Sequence, residues 1–280
     1  MHARADLAAE KCVSLAPNVR RIVAGNPGLM TGPGTNTYLV GHSAVAVLDP
    51  GPDDDLHLKA LWAAAGSAIR WIIVTHTHAD HSPLARRLAE RSGARVIGLP
   101  PPHDGRQDSS FEPDDLPGDG ERLGVGDCIL TAIHTPGHAS NCVCYLLESE
   151  RLLFTGDHVL DGVAPVILPP DGDMAAYLRS LDKLRPYRFE RIAPGHGGLI
   201  ERGKEAVAAL VAHRLEREAK VVRILSRLSA ATLDALTALV YDDVSVERHP
   251  WARLSLEAHL IKLAREGRAA ETDGLWRPVR

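Results

Sequence analysis

The sequence is poor in aromatic residues, in cysteine and in unbroken apolar stretches. Aromatic side chains make up 4% of its 280 residues, which argues against a base-stacking surface for single-stranded nucleic acid. Four cysteines are too few for a disulfide scaffold at this length. The chain has no apolar run of about 18 residues and no signal-peptide pattern. We therefore expect a cytoplasmic protein without a membrane span.

Net positive charge is also missing. The chain holds 32 Lys and Arg against 36 Asp and Glu, a net charge of -4, which excludes a bulk nucleic-acid binder. The charge is uneven, at -6 over residues 1–200 and +2 over residues 201–280. Because the second part also has a more helical pattern, we predict two domains with these boundaries.

The first 200 residues alternate between strand-like and helix-like segments. Strands at 44–48, 69–74 and 95–99 are separated by helices at 54–65 and 82–92, which predicts crossover connections and a sheet covered by helices. After a long Pro-, Asp- and Gly-rich loop the pattern resumes with three strands, a helix and a strand, at 122–133, 142–147, 152–155, 174–184 and 188–193.

The last 80 residues predict a winged helix. A long helix begins at about residue 201, two shorter helices follow at 231–240 and 254–265, and Asp273-Gly274 forms the turn of a hairpin. The expected recognition helix offers few uncompensated cations, so DNA binding is disfavoured. We expect this domain to pack on the first one and shape a substrate cleft or a homodimer contact, with RNA docking as an alternative.

Histidine is the residue in excess, with 14 copies. Four side chains that can bind metals follow the buried strand at 69–74, namely His76, His78, Asp80 and His81. An extended backbone there sends His76 and His78 to the same side. Imidazole and carboxylate groups suit Zn, Mn or Fe.

Three further candidates also follow strands. His138, Asp157 and His196 each lie beside a glycine in a turn, where the backbone can bend close to a bound group. The loops of one sheet edge could therefore bring seven ligands together. Most of the other histidines, His57 and His259 among them, are expected to be exposed or partly packed.

The segment His76-Thr77-His78-Ala79-Asp80-His81 resembles the H-x-H-x-D-H signature of the metallo-β-lactamase superfamily, and the later ligands match its other motifs in order. The resemblance implies an α/β fold, the αββα sandwich, with two metal ions at one edge. It assigns His76, His78 and His138 to the first ion, Asp80, His81 and His196 to the second, Asp157 to both, and Asp49 to a supporting position.

Two segments are similar to the β-lactamase-like protein 2 subgroup, whose members carry a C-terminal winged helix. They are Gly34-Thr35-Asn36-Thr37-Tyr38-Leu39-Val40-Gly41 and Thr155-Gly156-Asp157-His158. This similarity makes Asn36 and His158 candidate substrate contacts, with a supporting role for His158 as the alternative. Antibiotic-hydrolysing members carry Cys or Ser where Asp157 stands, which argues against that activity.

The resemblance implies a hydrolase with two divalent metal ions, most simply Zn, in which a metal-bridging hydroxide attacks a small ester, thioester or related substrate. We assign a proton-transfer role to Asp80. One alternative is an endoribonuclease that cleaves single-stranded RNA. A third interpretation, the least favoured, is a winged-helix regulator whose metal domain senses a ligand.

Overall fold

The computed structural model describes residues 5–279 and contains two large sheets. The first sheet has six strands in chain order; the first four pair antiparallel with one another, and the fourth then continues into parallel pairing with the fifth and sixth. They are β1 (Val13–Ala16), β2 (Val19–Val23), β3 (Asn36–Val40), β4 (Val45–Leu48), β5 (Ile69–Ile73) and β6 (Arg95–Ile97). Helices α1 (Asp55–Ala65) and α2 (Leu84–Ser92) make the predicted crossovers between the parallel strands.

The second sheet has five strands in the order β11-β10-β9-β8-β7. They are β7 (Arg122–Val125), β8 (Cys128–His134), β9 (Val143–Leu147), β10 (Leu152–Gly156) and β11 (Arg191–Pro194). Only β10 and β11 are parallel, and α3 (Met174–Lys183) connects them. The run predicted as one strand at 122–133 is a hairpin, because Gly126 adopts a φ of 62° and turns the chain between Val125 and Cys128.

The two sheets pack face to face around an apolar core. Tyr38 of the first sheet contacts Phe154 of the second, with ring centroids 5.1 Å apart. The outer face of the first sheet is covered by α1 and α2, and that of the second by α3 and by the start of a long C-terminal helix. This layering is the αββα sandwich that the motifs imply.

The C-terminal part is a winged helix, as predicted. It consists of α4 (Gly203–Leu228), α5 (Leu233–Val240), α6 (His249–Arg265) and the hairpin β12 (Ala269–Thr272) and β13 (Leu275–Pro278). The helix α6 begins five residues before the predicted start, since Pro250 is favourable in a first helical turn. Asp273 and Gly274 both have positive φ, as the type I′ turn of a two-residue hairpin requires.

The helix α4 belongs to both parts of the molecule. Its first turns place Val207 in the apolar cluster beneath the second sheet, whereas Val221 and Leu225 lie in the core of the winged helix. From α6, Ala258 also joins the cluster beneath the sheet. The winged helix therefore packs directly on the sandwich, and the division at residue 200 stays a prediction.

Two histidines expected near the surface are buried. His57 has no exposed surface. Its two ring nitrogens are hydrogen-bonded to Thr37 and Glu10 at 2.8 Å each, so the buried ring has polar partners. His259 lies within α6 with its ring 3.5 Å from the carboxylate of Glu218. Within residues 5–279, no helix has both the length and the apolar composition needed to cross a bilayer.

Candidate metal centre

The predicted ligands meet at one edge of the sandwich. His76 follows β5, His138 follows β8, Asp157 follows β10 and His196 follows β11, so each ligand lies just after the end of a strand. Gly195 makes this convergence possible, since a Cβ atom there would lie 2.3 Å from the Oδ1 atom of Asp157. The seven candidates form overlapping groups whose ligand atoms lie within 4.8 Å of one another.

The first group contains His76, His78 and His138. The Nδ1 atom of His78 lies 3.0 Å from the Nε2 atoms of both His76 and His138. Burial and the neighbouring His138 lower the pKa of His78 to about 3, and burial lowers the pKa of His76 as well. Burial lowers the pKa of His138 too. The surroundings of all three imidazoles thus favour the neutral form, which is the form that binds metals.

The second group contains Asp80, His81 and His196. The Oδ2 atom of Asp80 lies 3.3 Å from the Nε2 atom of His81 and 3.2 Å from that of His196. Asp157 lies between the two groups. Its Oδ1 atom is 3.4 Å from the Nε2 atoms of His81 and His196, while its Oδ2 atom is 3.8 Å from the Nε2 atom of His138.

The hydrogen bonds around these side chains leave the atoms that face the cluster available to bind metal ions. Three imidazoles donate through the nitrogen that points away from the cluster, His138 to the carbonyl of Val166 at 2.7 Å, His196 to that of Gly34 at 3.1 Å, and His81 to Asp49 at 3.0 Å. Such anchoring is typical of metal-binding histidines. Among residues 5–279, the Nε2 atom of His81 and the Oδ1 atom of Asp157 find no hydrogen-bond partner although both are buried, as expected for atoms that face a cation.

The second group also has a negative potential. Burial alone would lower the pKa of His196, but the carboxylates of Asp157 and Asp80 raise it to about 10. Burial opposes protonation of His81 too, yet Asp80, Asp157 and Asp49 raise its pKa well above the ordinary value. A field that holds protons this strongly also favours a divalent cation, which would compete with those protons.

Asp49 lies directly behind His81. Its carboxylate accepts hydrogen bonds from the backbone N–H of Thr75 at 2.7 Å, from the Thr75 hydroxyl at 2.8 Å and from the Nδ1 atom of His81. These bonds hold the His81 ring through its Nδ1 atom and leave its Nε2 atom for the candidate centre. Asp49 belongs to none of the three ligand groups, and its supporting role stays a prediction.

Asn36 and His158 lie behind the ligand loops and do not line the cleft. The amide of Asn36 donates to the carbonyls of Pro194 at 2.8 Å and Gly197 at 3.0 Å, so it holds the turn that carries His196. His158 has no exposed surface, and its ring packs on Tyr177 at 4.9 Å. Burial in these positions keeps both side chains from a substrate in the cleft.

A hydroxyl that no motif in the sequence indicates contacts Asp80. The Oγ1 atom of Thr35 donates to the Oδ2 atom of Asp80 at 2.9 Å and accepts from the amide of Asn26 at 2.9 Å. Asn26 also holds the backbone N–H of Thr35 through its Oδ1 atom. The glycine-rich loop before β3 therefore fixes one carboxylate of the centre, although its composition predicts only a turn.

A cleft of about 380 Å³ opens between the metal centre and the winged helix. Arg214 of α4 and Ser255 of α6 line it and also hold the segment beside His138. Arg214 donates to the carbonyl of Pro165, and Ser255 accepts from the backbone N–H of Ile167 at 3.4 Å. The carbonyl between them, at Val166, anchors His138. No local pattern in the sequence indicates these long-range contacts.

Comparison with known proteins gives matches to both parts of the chain. Residues 30–196 match the profile described as Metallo-beta-lactamase superfamily, and residues 232–276 match that described as Beta-lactamase associated winged helix domain. A Beta-lactamase-like protein 2 homolog from Caenorhabditis elegans is 30% identical over 263 residues, covering 91% of this chain and 85% of that protein. An Aspergillus fumigatus protein named Atrochrysone carboxyl ACP thioesterase is 31% identical over 76% of this chain and 67% of its own length.

A solved structure shows the same fold. The crystal structure of a metallo-beta-lactamase family protein from Thermus thermophilus has a TM-score of 0.78 and 23% sequence identity to this chain. The comparison covers 95% of this chain and 100% of that one. The likeness therefore extends over the sandwich and the C-terminal helices alike.

Proposed function

Since this chain belongs to the metallo-β-lactamase superfamily and is a hydrolytic enzyme, we propose that it cleaves an ester or thioester at a centre of two divalent metal ions. The position of Asp157 carries the proposal, because its two carboxylate oxygens face different groups of ligands. We assign one ion to His76, His78 and His138, the other to Asp80, His81 and His196, and Asp157 to both. Zinc is the simplest occupant, and the same donors accept Mn or Fe.

The residues of the site suggest how hydrolysis proceeds. Divalent cations bound there would acidify a water molecule and polarise the carbonyl of the substrate. We assign proton transfer to Asp80, whose side chain is 27% exposed and lines the cleft. The bond from Thr35 to its Oδ2 atom holds the carboxylate in one orientation, so a proton is taken up and released at a fixed place.

The choice of an ester or thioester has support from a relative and from the cleft. A relative at 31% identity is named a thioesterase. The walls of the cleft are mostly apolar and include Leu160, Val163 and Leu168, which suits an acyl group. A small substrate of this class is therefore our proposal.

The contacts of the winged helix do not favour nucleic acid. The cations of its expected recognition helix are already paired, Arg253 with Asp234 at 2.7 Å, Lys262 with Glu218 at 2.9 Å and Arg265 with Asp173. A face that packs on the sandwich and neutralises its own cations offers little to phosphates. These pairs give no support to the RNA and DNA alternatives. The hydrolytic relatives argue against a regulator that senses a ligand. The homodimer stays a prediction.

Metal analysis with a substrate panel tests the proposal. We expect about two equivalents of divalent metal per chain and turnover of para-nitrophenyl esters or acyl thioesters. The variant His76→Ala should lose metal and activity, whereas Asp80→Asn with its metal content intact should lose most of its turnover. Hydrolysis by Asp80→Asn at the wild-type rate would remove the proton-transfer role. A metal-loaded protein that cleaves single-stranded RNA but no ester or thioester would contradict the proposed function.

A further inference from the structure

Arginines line the cleft together with the candidate metal ligands, and two of them have no carboxylate partner among residues 5–279. Arg214 lines the cleft with only 3% of its surface exposed. It donates to the carbonyl of Pro165 and lies 5.4 Å above the ring of Tyr177, but it forms no ion pair within residues 5–279. Its Nε atom is buried and has no hydrogen-bond partner in the part of the chain that the structure describes.

A neighbouring arginine, in contrast, has its charge compensated by a carboxylate. Arg217 follows Arg214 on α4 and lines the same cleft, yet Asp243 binds it with two bonds of 2.7 and 2.8 Å. Arg248 also lines the cleft, is exposed, and pairs with no carboxylate of the described chain. Two of the three guanidinium groups in this cleft therefore lack an anion.

The rest of the cleft offers these two arginines no negative charge. Within the described chain, the only carboxylates that line it are Asp80 and Asp157, which belong to the candidate metal centre. The charge of Arg214 is buried without an anion, which is unfavourable, and a ligand anion beside it would lower that cost. Arg248 is exposed, so it can bind the same anion without rearrangement of the core.

Several exposed apolar side chains line the cleft. Leu29, Met30, Val163 and Trp251 do so with 63%, 44%, 54% and 37% of their surfaces exposed. Exposed apolar side chains that line one cleft are typical of a binding surface. A ligand that satisfies both features has an apolar body and an anionic group.

We propose that Arg214 and Arg248 form an anion-binding wall, and that the substrate is an ester or thioester carrying a carboxylate or phosphate on an apolar body. This inference rests on the proposed hydrolase function for the nature of the scissile bond. The wall itself rests on the two arginines alone. Arg214 also holds Pro165, so Arg248 is the better residue for a test.

Matched substrates measure the contribution of the anion. One arm compares para-nitrophenyl hemiesters of four- to six-carbon dicarboxylic acids with the para-nitrophenyl alkanoates of equal length. The other arm compares butyryl-coenzyme A with the neutral butyryl thioester of N-acetylcysteamine, which places phosphate on the leaving group. The readout is the ratio of kcat/KM for the anionic substrate to that for the neutral one. The arm with the larger ratio identifies the source of the anion.

We expect the wild-type ratio to fall roughly tenfold in Arg248→Gln and to recover in part in Arg248→Lys, as for the loss of one charge-assisted hydrogen bond. The control is Arg223→Gln, which removes an exposed cation of α4 that does not line the cleft. It should retain the wild-type ratio. A ratio that is unchanged in Arg248→Gln would overturn the proposal.

A failure of the proposed function can be told apart from a failure of the wall. If the metal-loaded protein hydrolyses neither series, calorimetric titration with pentanoate and with its neutral analogue pentanamide still tests the wall. Tighter binding of pentanoate by the wild type, weakened in Arg248→Gln, supports it, and an affinity for pentanoate that is the same in both proteins refutes it. Cleavage of single-stranded RNA that depends on Arg248, with no ester turnover, would overturn the assignment to a small substrate.

Discussion

Asp49 offers a way to change the metal centre without touching a ligand. Replacement by Asn keeps the shape of the side chain but exchanges one oxygen for an NH₂ group. The Oδ2 atom accepts from both the Thr75 hydroxyl and the Nδ1 atom of His81, whereas Oδ1 accepts from the backbone N–H of Thr75. An Asn that retains the backbone bond therefore turns its NH₂ group toward His81. The imidazole must then accept at Nδ1 and carry its proton on Nε2, the atom that faces the metal centre.

The size of the effect follows from the contacts that are lost. Asp49 is 3% exposed, so solvent does not replace the bond to His81. A hydrogen bond to a charged group contributes about 1.5–3 kcal/mol. Loss of the group that orients a metal-binding histidine lowers metal affinity by about 10–100-fold, which is about 1.4–2.7 kcal/mol. The two ranges agree, and we expect the second metal ion to be held that much more weakly in Asp49→Asn.

Competition with a chelator measures this affinity for each of the two ions, and Co(II) spectra report the ligands of the bound metal. The matched control is Asp53→Asn, which removes one carboxylate whose side chain is 52% exposed and pairs with Arg87 at the surface. The control should bind both ions as the wild type does. Wild-type affinity for both ions in Asp49→Asn would refute the reasoning, because His81 would then not depend on its acceptor.

Two further changes test the packing of the site and the pH response of the winged helix. Gly195→Ala places a methyl group 2.3 Å from the Oδ1 atom of Asp157, so we expect at least tenfold weaker metal binding, measured by the same competition, and wild-type affinity would contradict this steric argument. Although burial would raise it, His259 and Lys262 hold the pKa of Glu218 at about 2, below its ordinary value of 4.5. Because the folded pKa is the lower one, this stabilisation is present above pH 4.5 and is lost as the pH falls toward 2. After allowance for solvent screening, the stabilisation amounts to about 2 kcal/mol. The free energy of unfolding in urea should therefore depend less on pH between 2 and 4.5 in Glu218→Gln than in the wild type. An unchanged pH dependence would refute this role of Glu218.

The sequence predicted the parts of the site that depend on local pattern. The segment from His76 to His81 follows a buried strand, and glycines stand beside His138, Asp157 and His196. Strand ends in a layered α/β fold meet at an edge, so convergence of these side chains could be expected. The hairpin at Asp273-Gly274 was equally clear, because its turn requires residues that tolerate positive φ.

Contacts between distant segments could not be predicted in this way. Asn36 holds the turn of His196 from a strand more than 150 residues earlier in the chain, and Arg214 reaches Pro165 across two domains. Hydrophobic periodicity specifies which face of a strand or helix is buried, but not which polar atom meets that face. The buried position of His57 was missed for the same reason, since its partner Glu10 lies 47 residues away.

The continuous helix α4 has a consequence for how substrates reach the centre. Its 26 residues form a rod about 39 Å long, and both hydrophobic cores are built on it. A hinge between the domains would have to break this rod, so we expect the gap between them to keep a fixed width during turnover. Substrates would then be selected by size, because a cleft of fixed width excludes bulky acyl groups. A bound substrate would not be enclosed by domain closure.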